Sequence, residues 1–456
     1  MRTLTRTVFS LPVIALLLGI LAACGRIEPP EKSGELVVAL VAGPTTYEKE
    51  NGEINGFEYD LVNAFAESQG LKPRFVLTKD REETLKLVKQ GKVHFAAGIS
   101  IDDQTDLIYT PPLRNAQAVI VKNADDLDFD DDTDATNNKT VTVSGGSVQA
   151  ALLKKMAGEA KKFLVTEMSG IPELTLLEQL AEQHHMLVAT DSLLYALAAR
   201  SHPELEVATK LPGKLEFGWA FSLDTKGLAD KAREYLENLK KAGGLARIQD
   251  RYFGYITRIN TQGITDFMEA ANTDLTHLRK YFQEGQEITG IDWRLLASLA
   301  YQESQWDTLA TSPTGVRGIM MLTEDTADRL RVNNRLDPKQ SILAGSRYLA
   351  DLRDALPSSV EEPDRTWMAL AAYNLGMGHM NGGRAIAEGL GKNPDSWYEM
   401  KSVLPLMAKP QYYARLKSGR ARGGEAVIMV ENIRTYYDIL KRFEPAWIPP
   451  MKLKQR

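Results

Sequence analysis

The sequence predicts an α/β front half followed by an all-α back half. Three observations carry this. From Glu35 onward, strands of four to seven residues alternate with amphipathic helices closed by glycine, as in a mostly parallel sheet. Beyond about residue 275 the periodicity becomes helical, with almost no β-branched alternating run. The chain has 456 residues, 43% apolar and 25% charged, enough for two or three globular domains.

The chain begins with Arg2 and Arg6, followed by an apolar run from Val8 to Ala23. Basic residues first, apolar next and small residues last make residues 1–23 a secretory signal, too short for a permanent membrane helix. The only cysteine, Cys24, directly follows Leu21-Ala22-Ala23. That stretch resembles a bacterial lipoprotein signal. The resemblance implies cleavage before Cys24, lipidation of Cys24, and stable anchoring by two or more acyl chains. Gly25 stands where such lipoproteins carry an aspartate for inner-membrane retention, so the expectation is an outer-membrane lipoprotein facing the periplasm of a Gram-negative cell. Residues 24–34, polar and with two prolines, read as a tether.

The formal charge is −5 and no long basic block exists, so nucleic acid is a poor partner. One cysteine excludes an intrachain disulfide framework, and six scattered histidines form no zinc spacing, so no metal is expected.

In order, LVVAL (36–40) is a strand and FEYDLVNAFAESQGL (57–71) a helix capped at Gly70. KPRFVLT is a strand, REETLKLVKQGKV a helix closed by Gly91, and HFAAGIS a strand. The aspartate-rich stretch 125–138 lacks the glycine and closing glutamate of a calcium loop and reads as a solvated connection. KTVTVSGGSVQAALLKKM (139–156) is a strand, a Ser-Gly-Gly-Ser turn and a helix start that favours an anion. A long helix is expected near 227–249.

The segments GFEYDLVNAFAESQGLK, AAGIS, YTPP, ATDS, EFGWAFS and KKAGGLARIQDRYFG together resemble the periplasmic solute-binding proteins of the amino-acid type, over residues 35–258. The resemblance implies two α/β lobes around a ligand cleft: a first lobe of about 35–120 plus 216–258, and a second of about 139–215. It also implies a ligand site at Ser144, Gly145, Ser147 and Asp191, with Asp191 meeting a ligand amine. The usual carboxylate-binding arginine is missing, since none lies between Gly98 and Tyr109. A peptide or muropeptide effector therefore stands beside a free amino acid as the expected ligand, and an absent ligand remains open.

Residues 259–275 read as a linker and 446–456 as a tail. Between them, Ile291 to Asp307 is the stretch that matters most. Asp292 can cap a helix on which Leu296, Leu299, Ala300 and Glu303 share one face. A carboxylate ending an apolar stripe has either a buried partner or a raised pKa. A raised pKa suits a general acid near neutral pH.

Four pieces follow in order: AYQESQWD (300–307), TSPTGVRGIMMLT (311–323), MALAAYNLGMG (368–378) and VENIRTYYDIL (430–440). Together they resemble the lytic murein transglycosylases of the soluble-transglycosylase and goose-lysozyme-like group, which implies a lysozyme-like catalytic domain at 276–445. The resemblance makes Glu303 the sole catalytic acid/base. It places Ser304, Ser312, Gly315, Gly318, Met320, Tyr373, Asn374, Met429, Asn432 and Tyr436 along the glycan groove. Two departures stand out: Met321 replaces a frequent glutamine, and Met429 a frequent tyrosine. No second carboxylate falls at a matching position, and one acid suffices if the substrate supplies the nucleophile. The implied reaction is non-hydrolytic cleavage between N-acetylmuramic acid and N-acetylglucosamine in peptidoglycan glycan strands, with no cofactor. The alternatives are a hydrolytic lysozyme-type muramidase, and a lipid-anchored wall-binding scaffold with an inactive catalytic domain.

Overall fold

The computed structural model describes residues 26–50, 53–126, 139–160, 163–183, 185–256 and 258–449. The signal segment, Cys24 and residues 127–138 of the aspartate-rich stretch lie outside the described residues.

The strands are β1 Glu35–Val41, β2 Glu48–Glu50, β3 Glu53–Asn55, β4 Lys72–Thr78, β5 Phe95–Ser100, β6 Leu107–Tyr109, β7 Arg114–Asn123, β8 Lys139–Ser144, β9 Phe163–Met168, β10 Leu187–Asp191 and β11 Leu205–Ser222. Strands β2 and β3 pair as a small hairpin, and the other nine form one sheet. Its order is β4-β1-β5-β11-β7-β10-β8-β9, with β6 on β11. The expectation of a mostly parallel sheet needs correction. The outer pairs β1–β4, β1–β5, β8–β9 and β8–β10 are parallel, but β7 and β11 are antiparallel to each other and to their other neighbours. These two long strands carry the chain from one lobe to the other, so each lobe keeps its own parallel set. Helices cover both faces of each set, which is why β1 reads as an unbroken apolar run with Leu36, Val38, Ala39 and Leu40 fully buried. The expected long helix is two helices, Lys226–Lys241 and Gly244–Phe253, broken where Gly243 takes φ 73°.

The lobes touch across the cleft. Asp80 caps the Arg81–Lys89 helix through Oδ1 and accepts from the Gly170 amide through Oδ2 at 2.6 Å. The Arg81 guanidinium donates to the Gly146 carbonyl at 3.0 Å while pairing with Asp102.

The back half is all helical around one core. The Trp293–Ser304 helix lies at its centre and packs against the long Gly423–Phe443 helix and the Leu275–Thr289 helix. Residues 259–275 contain a helix of their own, Thr261–Thr273, capped by Asn260. Its Phe267 is fully buried in an aromatic box with Tyr301, Trp306 and Tyr436 at ring separations of 4.5–5.5 Å. In the expected tail, Trp447 docks on the Leu275–Thr289 helix, its carbonyl accepting from Gln286.

Polar contacts join the halves. Arg200, 1% exposed, follows the Ser192–Ala198 helix of the second lobe and pairs with Asp438 at 2.9 Å. The Tyr255 hydroxyl also donates to Asp438, and its ring lies under the guanidinium groups of Arg200 and Arg434. Lys401 bridges Asp250 and Glu431 at 2.6 and 3.0 Å.

Candidate active site

Asp292 caps the Trp293–Ser304 helix by accepting from the Arg294 amide. Leu296, Leu299 and Ala300 are fully buried, which anchors the face that ends in Glu303. The helix stops abruptly because Gln305 and Trp306 both take positive φ, 52° and 63°. The Trp306 indole then donates back to the Ala297 carbonyl at 2.8 Å and locks this turn. Glu303 is thus held in a last helical turn, where the helix C-terminus disfavours negative charge. Burial pushes its pKa up to about 7, and no charged neighbour contributes.

The 311–322 loop is tied to the end of this helix and to Tyr373. The Ser304 hydroxyl donates to the Ile319 carbonyl at 2.8 Å, and the Tyr373 hydroxyl to the Met320 carbonyl at 2.8 Å. The Arg335 guanidinium holds the Gly315 and Leu322 carbonyls. Gly318 has φ 78°, and a Cβ there would lie 1.8 Å from the Arg335 carbonyl oxygen, so only glycine fits. Ser312 is a turn residue whose hydroxyl accepts from the Thr314 and Val316 amides. Tyr373 feels Glu303 directly: burial first, then the Glu303 carboxyl, raise its pKa well above the phenol value. Asn374 is exposed beside it and Asn432 is half-buried.

Three expected groove residues are placed otherwise. Met320 is fully buried over Gly345, where a Cβ would come within 2.6 Å of it; the residue contributes its carbonyl and not its side chain. Met429 is 6% exposed and belongs to the core. Tyr436 packs on Phe267 and Tyr301. Tyr301 lies about 200° around the helix from Glu303, so Tyr436 supports the far side of that helix. The sequence reading also missed Arg335 and Tyr348; the latter packs on Tyr373 with ring centroids 5.1 Å apart.

A second site lies between the lobes. It is a cavity of about 110 Å³ lined in part by Ser144, Ser147, Glu173, Asp191, Phe217 and Arg114. Arg114, unforeseen, opens strand β7 at 7% exposure. Its guanidinium stacks on Phe217 at 3.5 Å and faces Asp191 at 3.6 Å, while Nε and Nη1 make no hydrogen bond. A buried cation opening a strand that faces the cleft gave no distinct signal in the sequence. Asp191 also caps its helix through Oδ1. Glu173 accepts from Thr190 at 2.9 Å; burial first, then Asp191, raise its pKa to about 7. Gly145 does not line the cavity: its amide bonds the Met168 carbonyl, and it packs against Ser169.

Comparison with known proteins fits both sites into one architecture. Residues 36–255 match the model of the bacterial extracellular solute-binding proteins, family 3, and residues 280–394 that of the transglycosylase SLT domain. A membrane-bound lytic murein transglycosylase F of Nitrosospira multiformis is 40% identical over 436 residues, covering 94% of this chain and 91% of that protein. One of Methylobacillus flagellatus is 38% identical, covering 96% and 95%. The chain belongs to the membrane-bound lytic murein transglycosylase F family. Among solved structures, a mutant of the T. maritima protein ArgBP aligns with a TM-score of 0.44 at 20% identity, over 49% of this chain and 97% of that one. In this family member, the Glu303 site falls inside the transglycosylase match and the Arg114 cavity inside the solute-binding match.

Proposed function

We propose that this protein cuts the β-1,4 bond between N-acetylmuramic acid and N-acetylglucosamine in peptidoglycan without water, with Glu303 as its single acid/base. The observation that carries this is a half-buried carboxyl whose pKa of about 7 is set by burial alone. Such a group holds its proton near neutrality and can give it to the glycosidic oxygen. The leaving N-acetylglucosamine departs with that proton as its hydroxyl. The muramic N-acetyl oxygen attacks C1 and forms an oxazolinium ring, an internal attack that gains from proximity. Glu303, now a carboxylate, takes the proton from the C6 hydroxyl. The C6 oxygen closes onto C1 and reopens the oxazolinium, leaving a 1,6-anhydromuramoyl end. Ser304 and Tyr373 fix the 311–322 wall, while Asn374 and Asn432 border the sugars.

Digestion of sacculi followed by mass spectrometry tests this. Anhydro ends, one water lighter than reducing ends, are expected from the wild type and are absent with Glu303→Gln. Reducing ends instead would establish the hydrolytic muramidase, and cleavage unaffected by Glu303→Gln would end the proposal.

A second reading rests on Arg114. The two-lobed cavity takes a small ligand bearing both carboxylate and amine, with Arg114 replacing the missing arginine and Asp191 meeting the amine. At about 110 Å³ it has room for roughly four waters, so a peptide or muropeptide enters only with the lobes parted. The Arg200–Asp438 pair offers a route by which lobe movement reaches the Gly423–Phe443 helix and, through it, the Glu303 helix. A muropeptide that changes neither the scattering profile nor the cleavage rate removes that regulatory role. Cys24, as a lipidated first residue at the outer membrane, would confine cutting to murein within tether reach.

A further inference from the structure

A recess of about 490 Å³ opens beside Asn374 and is bounded by His379, Arg420, Arg422 and Glu425. Asn374 directly follows Tyr373, the residue whose titration feels Glu303, so the recess begins at the edge of the catalytic surroundings. Its far wall is unusually basic for a chain of net charge −5: residues 415–422, RLKSGRAR, carry four cations and no acid. Ala421 is buried and its amide bonds the Met407 carbonyl. Arg420 and Arg422, two residues apart on either side of that anchor, are both exposed and both border the recess. Arg422 has a carboxylate neighbour, Glu425, at 3.4 Å. Among the described residues Arg415, Lys417 and Arg420 are exposed and form no ion pair, so neither packing nor salt bridging accounts for them. On the opposite side, His379 Nδ1 lies 2.9 Å from the Leu375 carbonyl. Its Nε2 is buried and makes no hydrogen bond.

We propose that this recess is a subsite for the peptide stem of the muramoyl residue being cut, with Arg420 and Arg422 pairing with stem carboxylates. The inference rests on the reading of Glu303 given above. The substrate chemistry fits: the muramoyl ring carries on its lactyl group a short peptide with free carboxylates, and guanidinium groups bind carboxylates in a two-point fork. The subsite gives the protein a preference for stem-bearing over stripped glycan, expressed as a ratio of kcat/KM values.

The test compares glycan strands with intact stems and strands stripped by an amidase, for the full-length wild type, Arg420→Ala/Arg422→Ala and Arg420→Lys/Arg422→Lys. The wild type is expected to favour stem-bearing strands. The double alanine variant should lower the stem-to-stripped ratio by on the order of tenfold, and the lysine variant should recover part of it. Added salt should shrink the wild-type ratio, because exposed charge pairs are screened. Equal losses on both substrates, or a wild-type ratio near one, overturn the subsite. Glu303-dependent cleavage with an unmoved ratio removes the subsite alone, whereas no Glu303-dependent cleavage of either strand removes the catalytic reading as well.

Discussion

Two glutamates in this molecule, Glu303 in the back half and Glu58 in the front, are both pushed to about 7 by burial. Their surroundings differ. Glu58 is fully buried against Gly98, which lines the front cavity, and its Oε2 accepts from the Trp219 indole at 2.8 Å. Glu303 is only half-buried, has no donor among its described neighbours, and adjoins Ser304, whose hydroxyl bonds the 311–322 loop. A raised pKa therefore says only that a carboxyl has lost water. Access and freedom from a holding partner are what separate a proton donor from a packed acid.

The sharpest way to break this comparison is to neutralise each acid in turn. Glu303→Gln should lower glycan cleavage by at least about a thousandfold, since one group supplies both proton transfers. Cleavage should also fall in the wild type as pH rises through about 7, where Glu303 loses its proton. Glu58→Gln should keep both the rate and that pH profile. A profile that moves with Glu58 would show that the two sites are not independent.

The Arg114 cavity extends the comparison to a buried cation. Arg114→Ala removes the group facing Asp191 and leaves a buried carboxylate without its counterion. The pair is 3.6 Å apart and not hydrogen-bonded, so the expected cost sits at the low end for a broken buried pair, about 3 kcal/mol by urea unfolding. Calorimetric heat from small zwitterionic ligands should vanish with it. Retained binding would return the carboxylate half of that site to an unknown group.

Stability against pH compares the acids thermodynamically. Glu58, Glu173 and Glu303 are each raised to about 7 in the fold, against a usual 4.5. Between those values the native state holds protons that the unfolded chain has released. Stability therefore falls as pH rises from about 4.5 to 7 and levels off above. For the fully buried Glu58 the slope is on the order of 1 kcal/mol per pH unit. Glu58→Gln should flatten the curve and make the variant the more stable protein at pH 8. An unchanged slope would mean that Glu58 does not hold a proton in the native state.

Much of this was legible in the sequence, and the failures have physical causes. The Glu303 stripe, the Asp292 cap and the split into an α/β and an all-α half follow from local periodicity, and local periodicity survives folding. The antiparallel pair β7 and β11 could not be read that way, because strand direction depends on partners about a hundred residues apart. Met429 was assigned to the groove by motif but is buried in the core, while half-buried Tyr436 packs against Phe267 and Tyr301. The helix Met377–Gly389 was hidden by Gly382 and Gly383, which weaken the helical signal; Gly383 is there because Leu404 packs against it. Arg114 was not legible because related binders keep their arginine between the positions of Gly98 and Tyr109, whereas here the cation enters from the crossing strand beyond Tyr109.

The finest test concerns a single hydroxyl. Tyr373 donates to the Met320 carbonyl, which ties the Asp364–Leu375 helix to the 311–322 wall. Tyr373→Phe deletes that bond with the ring left in place against Tyr348. A buried carbonyl then lacks its donor, which costs about 1 kcal/mol. The effect on cleavage should exceed what that loss of stability alone explains, because the same wall receives the Ser304 hydroxyl one residue from Glu303. A fall of roughly tenfold in kcat with KM nearly unchanged would assign Tyr373 to positioning the wall around the reacting sugar. A rise in KM alone would make it a simple sugar contact, and would leave the wall to be held by Ser304 and Arg335.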